Sequence, residues 1–251
     1  MPTPFMHLQV AEQVLAHPGL SGATRAQVAA AWPSFYLGSI APDFQDITDI
    51  PREATHFYTL PPDTNSQVHA VMLAQHPELA QASRLPPTQA VFLAAYMAHL
   101  MLDVRWFREV LAPCFVFNPA WDSVGRYERF TAHNMLLTYL DGLALGALPD
   151  SAESTLAAAP TQAMAAFIPD HHLQRWQQFI VEQLTPGAPV RTVEIYARRL
   201  HMAPADFARH LADPVWLEEH LFRRVPPAQV QAVLASAVDE TVTLITDYLS
   251  R

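Results

Sequence analysis

Apolar positions recur along most of this chain with the spacing of helices, and almost nowhere with the strict alternation that marks strands, which predicts an all-α protein. One stretch stands apart. Phe92–Val110, FLAAYMAHLMLDVRWFREV, is apolar on every side and therefore predicts a helix buried all round, with the other helices bundled about it. It nevertheless carries His99 and Asp103, which at a spacing of four project from one helical face about a turn apart. A charged carboxylate in an apolar interior is costly unless it is paired, hydrogen-bonded or bound to a metal. Two readings follow from these two residues: a His–Asp hydrogen bond that satisfies both and does nothing more, or part of a metal site.

The remaining pattern supplies further helices. Phe5–Leu15 reads as amphipathic, with His7 near its start. Ala26–Leu37 leads into Gly38-Ser39-Ile40-Ala41-Pro42-Asp43, where glycine and proline are expected to close a helix and hold Asp43 on an extended turn. Asp46, Asp49, Arg52, Glu53 and His56 follow, His56 standing beside the aromatic pair Phe57-Tyr58. Helices are expected over about Ser66–Gln75, from His76-Pro77, and from Pro86-Pro87 into the central segment. Ala112–Trp121 reads as an irregular aromatic loop, after which Asp122 or Ser123 caps a helix running to about Leu145, closed by Gly146. That helix carries His133 on one face with Arg126 and Arg129, residues suited to an anionic group. Short helices complete the chain: His171–Leu184, Thr192–His201, Pro204–Leu211, Pro214–Phe222 and Pro227–Leu249. The 22 prolines thus punctuate helices. The whole reads as one domain of 251 residues, with Pro149–Pro169 as a seam that would make 150–251 a C-terminal helical subdomain.

Composition narrows the function. Charged residues make up 16% of the chain with a net charge of −9, and no basic cluster is present to track a phosphate backbone, so duplex nucleic acid is not an expected partner. The longest apolar run is broken by His99, so no spanning helix is expected, and the first residues lack the basic and apolar regions of a secretory signal. A single cysteine, Cys114, leaves no internal disulfide or cysteine-based metal site and fits a reducing compartment, the cytoplasm. Every basic residue except histidine is arginine, which removes Schiff-base chemistry and a Walker-type lysine. His69, His76, His171, His172, His201, His210 and His220, with Asp141, Asp239 and Glu240, read as surface groups.

His7, the GSIAPD segment ending at Asp43, the THFY segment holding His56, and AYMAHLMLD with His99 and Asp103 resemble, in order and spacing, the zinc-dependent phospholipase C family, related to fungal-type single-strand nucleases. The resemblance covers roughly Met1–Asp103, at most to Asp141. It implies an all-helical metallohydrolase in which Asp43, His56, His99 and Asp103 surround one zinc ion. His7 would hold a neighbouring ion that Asp103 bridges. It departs at three points: no signal peptide is expected before His7, so the terminal amine that binds metal in the secreted phospholipases is not carried over, Glu109 stands where a histidine is expected, and His133 is followed four residues later by Leu137 rather than a glutamate. Glu109 and His133 are therefore carried only as additional candidate ligands.

The expected activity is hydrolysis of a small-molecule or lipid phosphate ester by water activated on one or two zinc ions, with Asp43 orienting or deprotonating that water and Arg126 or Arg129 facing developing negative charge. Two alternatives stay open at this level: a metal-stabilised helical binding protein without turnover, and non-hydrolytic iron or manganese chemistry at the same residues. Oligomeric state is not legible.

Overall fold

The computed structural model describes residues 1–63 and 67–251. It is all-α, with thirteen α-helices and no strand among the described residues. The order is α1 (Pro4–Ala16), α2 (Gly22–Ala30), α3 (Trp32–Ile40), α4 (Arg52–His56), α5 (Val68–Gln75), α6 (Pro87–Trp106) and α7 (Arg126–Ala147). There follow α8 (Ala152–Ala157), α9 (Asp170–Leu184), α10 (Thr192–Arg199), α11 (Pro204–Leu211), α12 (Pro214–Leu217) and α13 (Pro227–Leu249).

The bundle is built around α6. Its residues from Ala90 to Leu100 are buried without interruption, so the helix has no solvent face over that length. α3 lies along it most closely, α13, α5 and α2 cover other sides, and α1 packs on α3, α7 and α13. One hydrophobic core runs from Phe5 to Leu249, drawing on both halves of the chain. By length and composition Pro87–Val116 could cross a membrane, yet 83% of its most apolar window is buried under the other helices.

Several boundaries differ from the sequence reading. The expected helix ending at Leu37 is two helices, because Pro33 has no N–H to continue α2 and instead occupies the first turn of α3. Gly38 does not close that helix. It lies inside α3 where the helix meets α6: a Cβ there would overlap the Phe92 carbonyl oxygen and approach the Ala95 Cβ to 2.9 Å. Asp43 sits on the compact 3-10 turn Ala41–Ile47 rather than on extended backbone. The expected start at Ser66 lies outside the described residues, and His76-Pro77 opens only a 3-10 turn, Pro77–Leu79. Beyond Trp106 the central helix does not fall into a loop. It widens into π-helical turns over Phe107–Val116, a segment containing Pro113, which cannot donate the backbone bond of an α-helical continuation. The cap of α7 is Gly125 without a side-chain bond, and Gly146 is inside the helix.

Side-chain bonds tie the elements that will matter below. Tyr96 donates to the Thr55 carbonyl at 2.5 Å, pinning α4 to α6, and the Trp176 indole donates to the Ile40 carbonyl at 2.8 Å, pinning α9 to the end of α3. The Thr192 hydroxyl donates to Asp141 at 2.5 Å, joining α10 to α7. Asp141 is thus a buried carboxylate rather than a solvated one, and burial pushes its pKa up to about 6.

Two outcomes are expected. Gly38→Ala must push α3 and α6 apart and should cost about 1–3 kcal/mol in urea unfolding; an unchanged midpoint would contradict the close approach. For Asp141 the folded state holds the proton more tightly than the unfolded chain, whose value is about 3.9. Stability from this group is fully present below about pH 4 and declines as pH rises to about 6. Asp141→Asn should therefore be more stable than the parent by roughly 1–3 kcal/mol above pH 6, with the gap closing near pH 4.

Candidate metal centre

Four elements deliver five side chains to one interior point. His7 comes from α1, Asp43 from the turn after α3, His56 from the last position of α4, and His99 and Asp103 from successive turns of α6. All five are buried, Asp43 being the most accessible at 6%. At Phe57 the backbone turns left-handed, with φ 59°, so α4 ends at His56.

The separations are those of a chelating shell. Asp43 Oδ1 is 3.4 Å from His56 Nε2 and 3.7 Å from His99 Nε2. Asp103 turns Oδ1 toward His7 Nε2, at 3.5 Å, and Oδ2 toward His56 and His99, at 3.5 and 3.9 Å. Two groups of three ligand atoms, His7/His99/Asp103 and Asp43/His56/His99, each fall within 4.8 Å. The rings of His7 and His99 stack at 3.7 Å.

These contacts do not satisfy one another as hydrogen bonds. His7 Nε2, His56 Nε2, His99 Nε2 and Asp103 Oδ1 are all buried without a partner. Such atoms are rare in a protein interior because each costs about 1–3 kcal/mol. Four of them facing one point is what a cation would relieve. A simple His99–Asp103 side-chain hydrogen bond is absent, the imidazole Nε2 and carboxylate Oδ2 being 3.9 Å apart.

Proton positions follow from the outer contacts. His99 Nδ1 is 2.8 Å from the Ser39 carbonyl oxygen, which can only accept, so Nδ1 carries a proton and Nε2 is the atom turned inward. The Thr55 hydroxyl donates to the Arg52 carbonyl at 3.1 Å, so His56 Nδ1 donates to Thr55 at 2.7 Å and its Nε2 likewise faces inward unprotonated. Burial lowers the pKa of His7 to about 4 and also lowers that of His56. For Asp43, burial alone would raise the pKa, but His99 and His56 overrule it. For Asp103 the same opposition is won by His7, His99 and Arg52, so both carboxyls lie below the ordinary carboxylate range. Ionised carboxylates, and imidazoles such as His7 and His56 that burial turns against holding a second proton, suit a bound metal. The cluster could hold a metal ion.

Arg52 and Tyr58 also belong to the site and were not singled out from sequence. Arg52 ion-pairs with Asp103 Oδ2, which also accepts from the Tyr58 hydroxyl at 2.9 Å, and Arg52 donates to that hydroxyl at 2.8 Å. Arg52 Nη1 is 4.0 Å from Asp43. The burial cost of Asp103 is therefore met on one oxygen by protein groups and left open on the other. The available signal was Arg52 standing four residues before His56, on the same face of α4.

Four expected residues lie elsewhere. Glu109 is engaged by Arg105 at 3.2 Å and Arg108 at 2.6 Å. His133 accepts from the Trp106 indole at 3.3 Å and packs against Phe115. Neither shares ligand-atom geometry with the cluster among the described residues. Arg126 is exposed, and Arg129 donates to the carbonyls of Val116 and Trp121, stapling the loop before α7.

The centre opens on one side into a cavity of about 560 Å³, whose lining includes Asp43 and Arg52.

Protein purified without added metal should carry a divalent ion that His99→Ala lacks by elemental analysis, and chelator should lower its unfolding midpoint while excess metal raises stability by up to about 3 kcal/mol. Equal midpoints with and without metal would refute the centre. No family model matches the chain, and no curated protein or solved structure matches it either.

Proposed function

We propose that the chain is a zinc-dependent hydrolase of phosphate esters, as the resemblance to the zinc-dependent phospholipase C family implies. The observation that carries this reading is the convergence of three imidazole Nε2 atoms and a carboxylate oxygen, all buried without hydrogen-bond partners, beside an open cavity. Ligands about 2.0–2.1 Å from a tetrahedral zinc ion lie roughly 3.3–3.4 Å apart, close to the shortest separations here, 3.4 and 3.5 Å. Nitrogen and carboxylate ligands without thiolate suit zinc, and the two carboxylates offset its double charge.

His56, His99, Asp43 and Asp103 would hold one ion and His7, with Asp103, a second. A bound zinc ion would polarise a phosphoryl oxygen and lower the pKa of a water toward neutrality. The chain's own residues do the rest. Asp43 is the one acid that belongs both to the cluster and to the cavity lining, so it is placed to orient a water and accept its proton. Arg52 also reaches both, and takes over the role expected of Arg126 and Arg129: its fixed positive charge faces the anionic group of a substrate in the cavity. Tyr58 and Asp103 hold its guanidinium in place through the bonds already described. The buried imidazoles and the α6 wall exclude water from the remaining sides.

Turnover of bis(p-nitrophenyl) phosphate should be abolished by chelator and restored by zinc. Asp43→Asn should lower kcat by about 10²-fold or more, and Arg52→Gln should lower kcat/KM by a comparable factor. Failure of zinc-loaded protein on phosphodiesters, monoesters and single-stranded nucleic acid alike would replace this reading by a metal-stabilised binding protein.

A further inference from the structure

The cavity beside the centre has a wall that hydrolysis at the centre does not use. Arg191, Arg198 and Arg199, from α10 and the residue before it, line it together with apolar groups that include Leu60, Phe179 and Ile195. The wall is held in place: the Arg191 backbone N–H donates to Gln183 Oε1 at 3.0 Å, the Thr192 hydroxyl donates to Asp141, and Tyr196 and Ala197 are the buried residues of α10. Arg199 is partly engaged by Asp46 at 3.4 Å. Arg191 lies over the Phe179 ring at 5.5 Å, and among the described residues neither Arg191 nor Arg198 forms an ion pair with a carboxylate. With Arg52, four of the chain's fifteen cationic side chains face one cavity of a protein whose net charge is −9. The carboxylates in the same lining are Asp43, which belongs to the centre, Asp46, which meets Arg199, and Glu194. Such local inversion of the global charge draws in anions, and the guanidinium fork fits an oxyanion through paired N–H bonds.

We propose that the cavity selects small phosphate esters bearing a second oxyanion, seated on Arg191 and Arg198, with the intervening hydrocarbon lying against Leu60, Phe179 and Ile195 while the scissile phosphoryl group faces Asp43 and Arg52. This rests on the hydrolase reading for the position of the scissile group, but the second seat belongs to α10 and the residue before it. The volume, about 560 Å³, fits a small molecule with two charged ends and excludes a folded macromolecule.

The test is calorimetric binding to zinc-loaded and to chelator-stripped full-length protein of three probes: an alkyl monophosphate, the alkanediol bisphosphate of the same chain length, and the corresponding ω-carboxyalkyl phosphate. The bisphosphate should bind about ten-fold tighter than the monophosphate, with the gain shrinking as salt is raised. In Arg191→Gln/Arg198→Gln the ratio of the two affinities should fall toward one. Arg209→Gln, which removes a charge on α11 that is paired with Asp206, should keep the wild-type ratio. The ω-carboxyalkyl phosphate tells whether the seat takes a carboxylate as well as a phosphate. A ratio near one in the parent, or a ratio that survives the double variant or is lost equally in Arg209→Gln, would overturn the second seat. If the ratio behaves as expected but zinc leaves monophosphate binding and turnover untouched, the seat stands and the metal reading falls. If zinc matters and the ratio is one, the reverse holds.

Discussion

The structure turns on the cost of placing two ionised carboxylates, Asp43 and Asp103, inside the apolar bundle. That cost is met in a divided way. One oxygen of Asp103 is taken by Arg52 and Tyr58, so the fold has a cation of its own at this point. The other oxygen faces the His7 Nε2 and accepts nothing from it, while the Nε2 atoms of His56 and His99 stand unpartnered beside the first. A protein that needed only to bury an acid could have stopped at the arginine. The additional histidines, each with an unpartnered Nε2 in the interior, add unsatisfied atoms rather than removing them, which a cation among them would relieve.

The outer contacts make this arrangement directional. Ser39 and Thr55 do not touch the interior point at all, yet by occupying the Nδ1 atoms of His99 and His56 they decide which nitrogen faces it. Tyr96, bonded to the backbone of Thr55, fastens α4 to the central helix and so fixes the distance from His56 to His99. The chemistry at the centre and the packing of the bundle are in this sense one set of constraints, shared by α3, α4 and α6.

How much of this is legible in the sequence differs from residue to residue. The central helix is legible because nothing but burial explains an apolar surface on every side, and the acid within it forces a search for partners. Histidine and aspartate can then be nominated by type, and His7, Asp43, His56, His99 and Asp103 do come together. Arg52 is not legible in the same way, since an arginine among polar neighbours reads as solvated, and only its placement under Tyr58 reveals otherwise. Arg129 shows the opposite error, a cation on a promising helix face that is consumed by backbone carbonyls. Gly38 reads as a helix terminator because glycine is costly inside helices; the reason it is tolerated, a neighbouring backbone across the helix interface, is a tertiary fact. The π-helical extension of α6 and the burial of Asp141 are hidden for the same reason, being set by what packs against them.

The missing methyl group at position 38 has a reach beyond stability. Ser39, the very next residue, supplies the carbonyl that aims His99, so the spacing of α3 and α6 governs how that imidazole is held. Were the two helices to separate by the width of one carbon, that carbonyl would withdraw from the ring it steers. The smallest side chain thus sets the spacing of the imidazoles from a position that never meets them.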